Sequence, residues 1–126
     1  MEVKMSIDIR IEAKKNKVGN KSYYCWGGDV FLVAKKVDKW QDVIFGYYKD
    51  KEDLGWNLGI KRNKEKRGRS SFYYQVVSPP LAKMLLTAIK KETNKQSYKA
   101  AIDIMIGNLG RSDKDDNIMN NINKLL

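Results

Sequence analysis

The chain has 126 residues, 42% apolar and 32% charged, with 25 Lys and Arg against 15 Asp and Glu, one cysteine and no histidine. These figures describe one domain able to bury its own core. They exclude an internal disulfide and every nucleophilic or metal chemistry that needs an imidazole. The net charge of +10 favours phosphate polyanions as partners, through counterion release.

No apolar run is long enough for a membrane span, and there is no basic-then-apolar leader. The expectation is a cytoplasmic protein without a membrane partner, which the lone Cys25 suits without proving. With no base partner in view, Cys25 reads as a small buried hydrophobe.

In chain order, Val3 to Lys14 alternates apolar and polar residues and predicts a half-buried antiparallel strand. Asn16 to Asn20 has turn chemistry. Ser22 to Trp26, Gly27-Gly28 and Val30 to Ala34 then fit either a tight hairpin or one strand broken by a glycine bulge. Val37 to Gln41 reads as a connection and Val43 to Tyr48 as a strand. Lys49 to Asp53 is a polar turn into a further strand, where Leu54, Trp56, Leu58 and Ile60 alternate with Gly55, Asn57, Gly59 and Lys61. Ser70 to Val77, aromatic and β-branched, is the last of five or six strands. No helical period separates them, so an antiparallel meander over residues 2–78 is expected.

At Ser78-Pro79-Pro80 the pattern turns helical, with Ser78 as N-cap and the prolines in the first turn. Leu81, Met84, Leu85, Ala88 and Ile89 mark one helical face. A second helix is predicted over Ser97 to Leu109, with Tyr98, Ala101, Ile102, Met105 and Leu109 buried and Gly110 beyond its end. Ser112 and Asp115 resemble a capping box for a third, striped by Ile118, Ile122 and Leu125. That stripe suits docking on the sheet or on another subunit, the second of which would give a homodimer through the C-terminal helices. The fold class is therefore α+β, a single domain over 1–126 with a sheet followed by about three helices in 79–126.

Function is concentrated in Lys61 to Arg69, where six cations and one acid supply half of the net charge. Lying between two predicted strands, the stretch reads as a basic hairpin loop. Lys61, Arg62, Lys64, Lys66, Arg67 and Arg69 are the phosphate-neutralising candidates. A solvated, disordered loop is the plain alternative.

Tyr-Tyr pairs recur at 23/24, 47/48 and 73/74, and neighbouring strand residues face opposite sides of a sheet. Taking Val43, Phe45, Phe72 and Val76 as core markers, Tyr24, Tyr48 and Tyr73 become the outward tyrosines. With nearby cations they would form a stacking platform for single strands; the competing reading is core packing, unless both sheet faces are covered. Trp26, Trp40 and Trp56 read as core or hinge residues, Trp26 as the most exposed of them.

The curved antiparallel sheet followed by helices, with Lys66-Arg67-Gly68-Arg69 leading through Phe72 into a strand, resembles the PUR and Whirly class of single-stranded nucleic acid binding folds. The resemblance is one of layout. It implies that a basic-glycine-basic segment enters a strand whose sheet face holds bases.

The expected function is non-catalytic, sequence-independent nucleic acid binding, DNA or RNA, with single strands preferred and no cofactor or metal. The rival is a small phage, viral or mobile-element protein whose basic loop engages an acidic host protein or a nucleoprotein complex. A metal-dependent nuclease would rest on the Glu12-Ala13-Lys14 spacing, but Asp8 upstream is on the same strand and not in the preceding turn that such a site uses. Asp113, Asp115 and Asn117 mimic the start of a calcium loop, but Ile118 and Lys124 stand where glycine and the bidentate glutamate are needed.

Overall fold

Period-two alternation folds here as a five-stranded sheet. The computed structural model describes residues 8–15, 29–37, 40–49, 53–66 and 69–126, with backbone alone for 14–15, 29–30, 36–37, 40–41, 49, 53–54, 62–66 and 69–74. The strands are β1 (Ile9–Lys15), β2 (Asp29–Val37), β3 (Trp40–Lys49), β4 (Asp53–Lys66) and β5 (Arg69–Val76). They hydrogen-bond in chain order and every pair is antiparallel, the meander expected for successive strands without crossover helices. The start of the first predicted strand and the Ser22–Gly28 segment, with Cys25 and Trp26, lie outside the described residues.

The predicted connection from Val37 to Gln41 is shorter than its polarity suggested: β2 runs through Val37, which pairs with Trp40 at the start of β3. Cross-strand pairing satisfies those backbone groups, which outweighs the weak strand propensity of Lys and Asp.

Register shifts fall between Gln41 and Val43, between Leu32 and Ala34, and between Ile9 and Glu12. An extra residue in one strand of a pair bends that strand and adds twist, so the sheet bends at these successive offsets. Asp42, at the first, has φ 30, a conformation Asp tolerates better than most side chains.

Three helices follow: α1 (Pro79–Glu92), α2 (Gln96–Asn108) and α3 (Asp116–Asn123). Both prolines sit in the first turn of α1, and Ser78 is the N-cap residue, although its hydroxyl makes no capping bond. The α1 stripe is met in part: Ile89 is buried and Leu81 and Leu85 pack half-buried on the core, but Ala82 and Leu86 are buried beside them and Met84 is 69% exposed. The chain leaves the sheet at Val77, whose N–H donates to the Leu58 carbonyl at 3.0 Å.

In α2 the expected Ala101, Ile102 and Met105 are buried. In α3 the cap is Asp115 itself, accepting from the Asn117 N–H at 3.0 Å; Ser112 is not the cap, because the helix begins four residues later.

One core joins sheet and helices. Phe31, Val33, Val43, Phe45, Tyr47, Trp56, Leu58 and Ile60 meet Leu86, Ile89, Ile102, Met105, Ile118 and Ile122. The apolar stripe of α3 is thus spent in the chain's own core. Trp56 stacks on Phe45 and meets Tyr47 edge-on, each with ring centroids 5.6 Å apart. Among the described residues no helix is long and apolar enough to cross a membrane.

Candidate functional site

Strand pairing redraws the basic stretch. Lys61 to Lys66 does not form a loop: it continues β4, and Arg69 already belongs to β5. Lys66 pairs with Arg69, so only Arg67 and Gly68, which lie outside the described residues, separate the two strands. Charge alone suggested a loop, yet alternate strand positions hold like charges about 6.6 Å apart while every ladder bond is kept. A lone hairpin is marginal in water, but this one grows out of a formed sheet that sets its register.

Pairing of β4 with β3 stops at Gln41↔Lys61, whereas pairing with β5 continues to Lys66↔Arg69. Arg62–Lys66 and Arg69–Tyr73 therefore form a two-stranded ribbon running roughly 16 Å past the last pair with β3, at about 3.3 Å per residue. Between Gly59↔Val76 and Lys66↔Arg69 the register has no shift.

Directly paired residues of antiparallel strands share a face. Arg62↔Tyr73, Lys64↔Ser71 and Lys66↔Arg69 occupy one face of the ribbon, in register with Ile60 and hence with the side of the sheet that carries the helices. The other face carries Lys61↔Tyr74, Asn63↔Phe72 and Glu65↔Ser70. Of the predicted cations, Arg62, Lys64, Lys66 and Arg69 come together with Tyr73. Lys61, half-buried and in register with Gln41 and Tyr74, is on the opposite face. Arg67 and Tyr24 lie outside the described residues.

Tyr48 does face away from the main core, as its parity predicts, but it is not exposed. Its side chain is fully buried, and its hydroxyl donates to the Ile44 carbonyl at 2.8 Å. The ring lies against Gly59, where a Cβ would come within 2.8 Å of Tyr48 Cζ; with Leu32, Ile44 and Val76 it builds a second, smaller core on the far face of the sheet. Both sheet faces are covered here, the condition under which both tyrosines of a pair are packing residues.

Tyr48 and Tyr73 also lie on opposite faces, not on one. Val76, the core marker used to orient β5, belongs to the small far-side core, and Val77 is the residue that joins the main one. The parity of β5 is therefore reversed.

A strap at the α2–α3 junction, which the sequence reading missed, anchors the other end of β4. Gly110 N–H donates to the Trp56 carbonyl at 2.7 Å and Trp56 N–H to the Arg111 carbonyl at 3.0 Å, extending the ladder along β4 beyond the end of β5. Tyr47 Oη donates to the Ser112 carbonyl at 2.6 Å and Trp56 Nε1 to that of Asp113 at 2.9 Å. The only sequence signals were two glycines, Gly55 and Gly110, and both have φ +80.

Arg111 Nε lies 2.6 Å from Asp113 Oδ1, with Asp115 Oδ2 at 3.6 Å from Nη2. The hydrogen bond from Arg111 holds the Asp113 carboxyl below its ordinary range, and the same contact raises Arg111. The carboxylates of the supposed calcium loop are thus engaged with Arg111 and with the α3 cap.

For the nuclease alternative, Asp8 pairs with Arg10 at 3.0 Å and Glu12 sits in register with Leu32. Among the described residues no group of three His, Cys, Asp or Glu could hold a metal ion. Comparison with protein-family models, with curated proteins and with solved structures found no match to this chain.

Proposed function

We propose that the protein binds nucleic acid without catalysis, preferring single strands, and that the β4–β5 ribbon is the contacting element. The observation that carries this reading is the gathering of Arg62, Lys64, Lys66 and Arg69 on one face of a ribbon that projects past the sheet, in a chain of net charge +10. Like charges so grouped repel one another, a cost that a polyanion offsets. Tyr48 is withdrawn from the binding residues, and Tyr73, among the cations, is the described strand position left to stack a base.

Fluorescence anisotropy of labelled single-stranded and duplex oligonucleotides over a salt series tests the reading. Binding should weaken linearly in log-log form, by about 0.7 in slope for each phosphate neutralised on a single strand. Absence of binding to either probe at low salt overturns it, and a nuclease-treated pull-down would then test an acidic protein partner.

A further inference from the structure

The rungs of the ribbon set two unlike columns side by side on its basic face. Along β4 run Arg62, Lys64 and Lys66; along β5 run Tyr73, Ser71 and Arg69. Alternate residues of a strand stand about 6.6 Å apart, close to the step between phosphates of an extended single strand, so the β4 column supplies one cation per nucleotide. The β5 column lies about 4.8 Å to the side, where the bases of a strand following β4 would fall. It offers a ring, a hydroxyl and a guanidinium.

On the opposite face Lys61 and Glu65 cancel, and among the described residues no line of cations forms. A duplex keeps its bases paired and stacked inside, which leaves Tyr73 nothing to stack on, whereas a single strand uses both columns.

We infer that the basic face of the β4–β5 ribbon is a single-strand track about three or four nucleotides long, with phosphates along β4 and bases along β5, the innermost on Tyr73. The inference rests on the nucleic-acid reading and adds a polarity of backbone and bases across the ribbon and a length.

The test is anisotropy at low salt with labelled oligothymidylates from the dinucleotide to the dodecanucleotide and with a hairpin duplex, each variant first checked for a wild-type melting curve. Affinity should climb to the tetranucleotide and then rise only in proportion to the number of registers on a longer strand. Tyr73→Leu, which keeps apolar bulk without the ring, should weaken single-strand binding roughly 5- to 150-fold and leave duplex binding unchanged; Phe72→Leu, on the other face, should change neither. Arg62→Gln/Lys64→Gln/Lys66→Gln should weaken both and lower the single-strand salt slope by about two.

Equal losses in Tyr73→Leu and Phe72→Leu, a duplex bound as tightly as a single strand, or affinity rising steeply past the tetranucleotide would each overturn the track while leaving nucleic acid binding intact. No binding by the wild-type protein to any probe refutes the underlying reading, and the track with it.

Discussion

Gly55→Ala should be among the costliest single-methyl changes in this protein. Gly55 has φ +80, and an added Cβ would overlap the carbonyl oxygen of Arg111 and lie 3.0 Å from its carbonyl carbon and 3.3 Å from Ser112 Cα. These are backbone atoms of the strap and have no rotamer by which to yield. A left-handed alanine costs about 1–2 kcal/mol. Pushing the strap away breaks the bond from Trp56 N–H to Arg111 and leaves a buried donor unpaired, a further 1–3 kcal/mol or so.

The sum, about 2–5 kcal/mol, is a large part of a typical stability of about 5–15 kcal/mol. At roughly 4 °C per kcal/mol for a chain of this size it lowers Tm by about 8–20 °C. Urea and thermal unfolding should show it as a lower midpoint with an unchanged m-value. Gly107→Ala is the internal control: it lies in α2 with nothing within 4 Å of the added methyl, and should stabilise by about 0.5–1 kcal/mol. A Gly55→Ala cost under about 1 kcal/mol, or a shift matching that of Gly107→Ala, would refute the role given to the strap.

Two more outcomes follow from the same geometry. Tyr48→Phe should cost about 0.5–1.5 kcal/mol by urea unfolding, through loss of the buried bond to the Ile44 carbonyl; a stability-neutral variant would refute the part given to that bond. Because Asp113 has a lowered folded pKa, its contribution is present above the ordinary aspartate pKa and is lost as pH falls through the folded value. Melting curves below about pH 4 should therefore show a fall in Tm that is smaller in Asp113→Asn, and equal falls would remove the linkage.

Much of the fold was legible because it depends on local periodicity. Alternation from Ile9 to Ala13 and from Leu54 to Ile60 marks strands, and Ser78-Pro79-Pro80 marks the switch to helix, since a proline in the first turn forfeits no ladder bond. Legibility ended where two elements had to meet. The buried face of α1 takes in Ala82 and Leu86 and leaves Met84 out, because the sheet and helices it meets decide which face is covered. Val76 misled the orientation of β5 because an apolar side chain does not say which of two cores it enters.

The sequence by itself determined an α+β chain of antiparallel strands and then helices, with its positive charge massed in Lys61 to Arg69. These are properties of neighbours along the chain: hydropathy period, turn chemistry and charge count. Tertiary structure alone decided that the basic stretch is a paired ribbon, that Arg62, Lys64, Lys66 and Arg69 share a face with Tyr73, and that Tyr48 is buried over Gly59. The physical reason is register. Which residues stand side by side is set by pairing between strands distant in sequence, and a shift of one residue exchanges the faces of a whole strand.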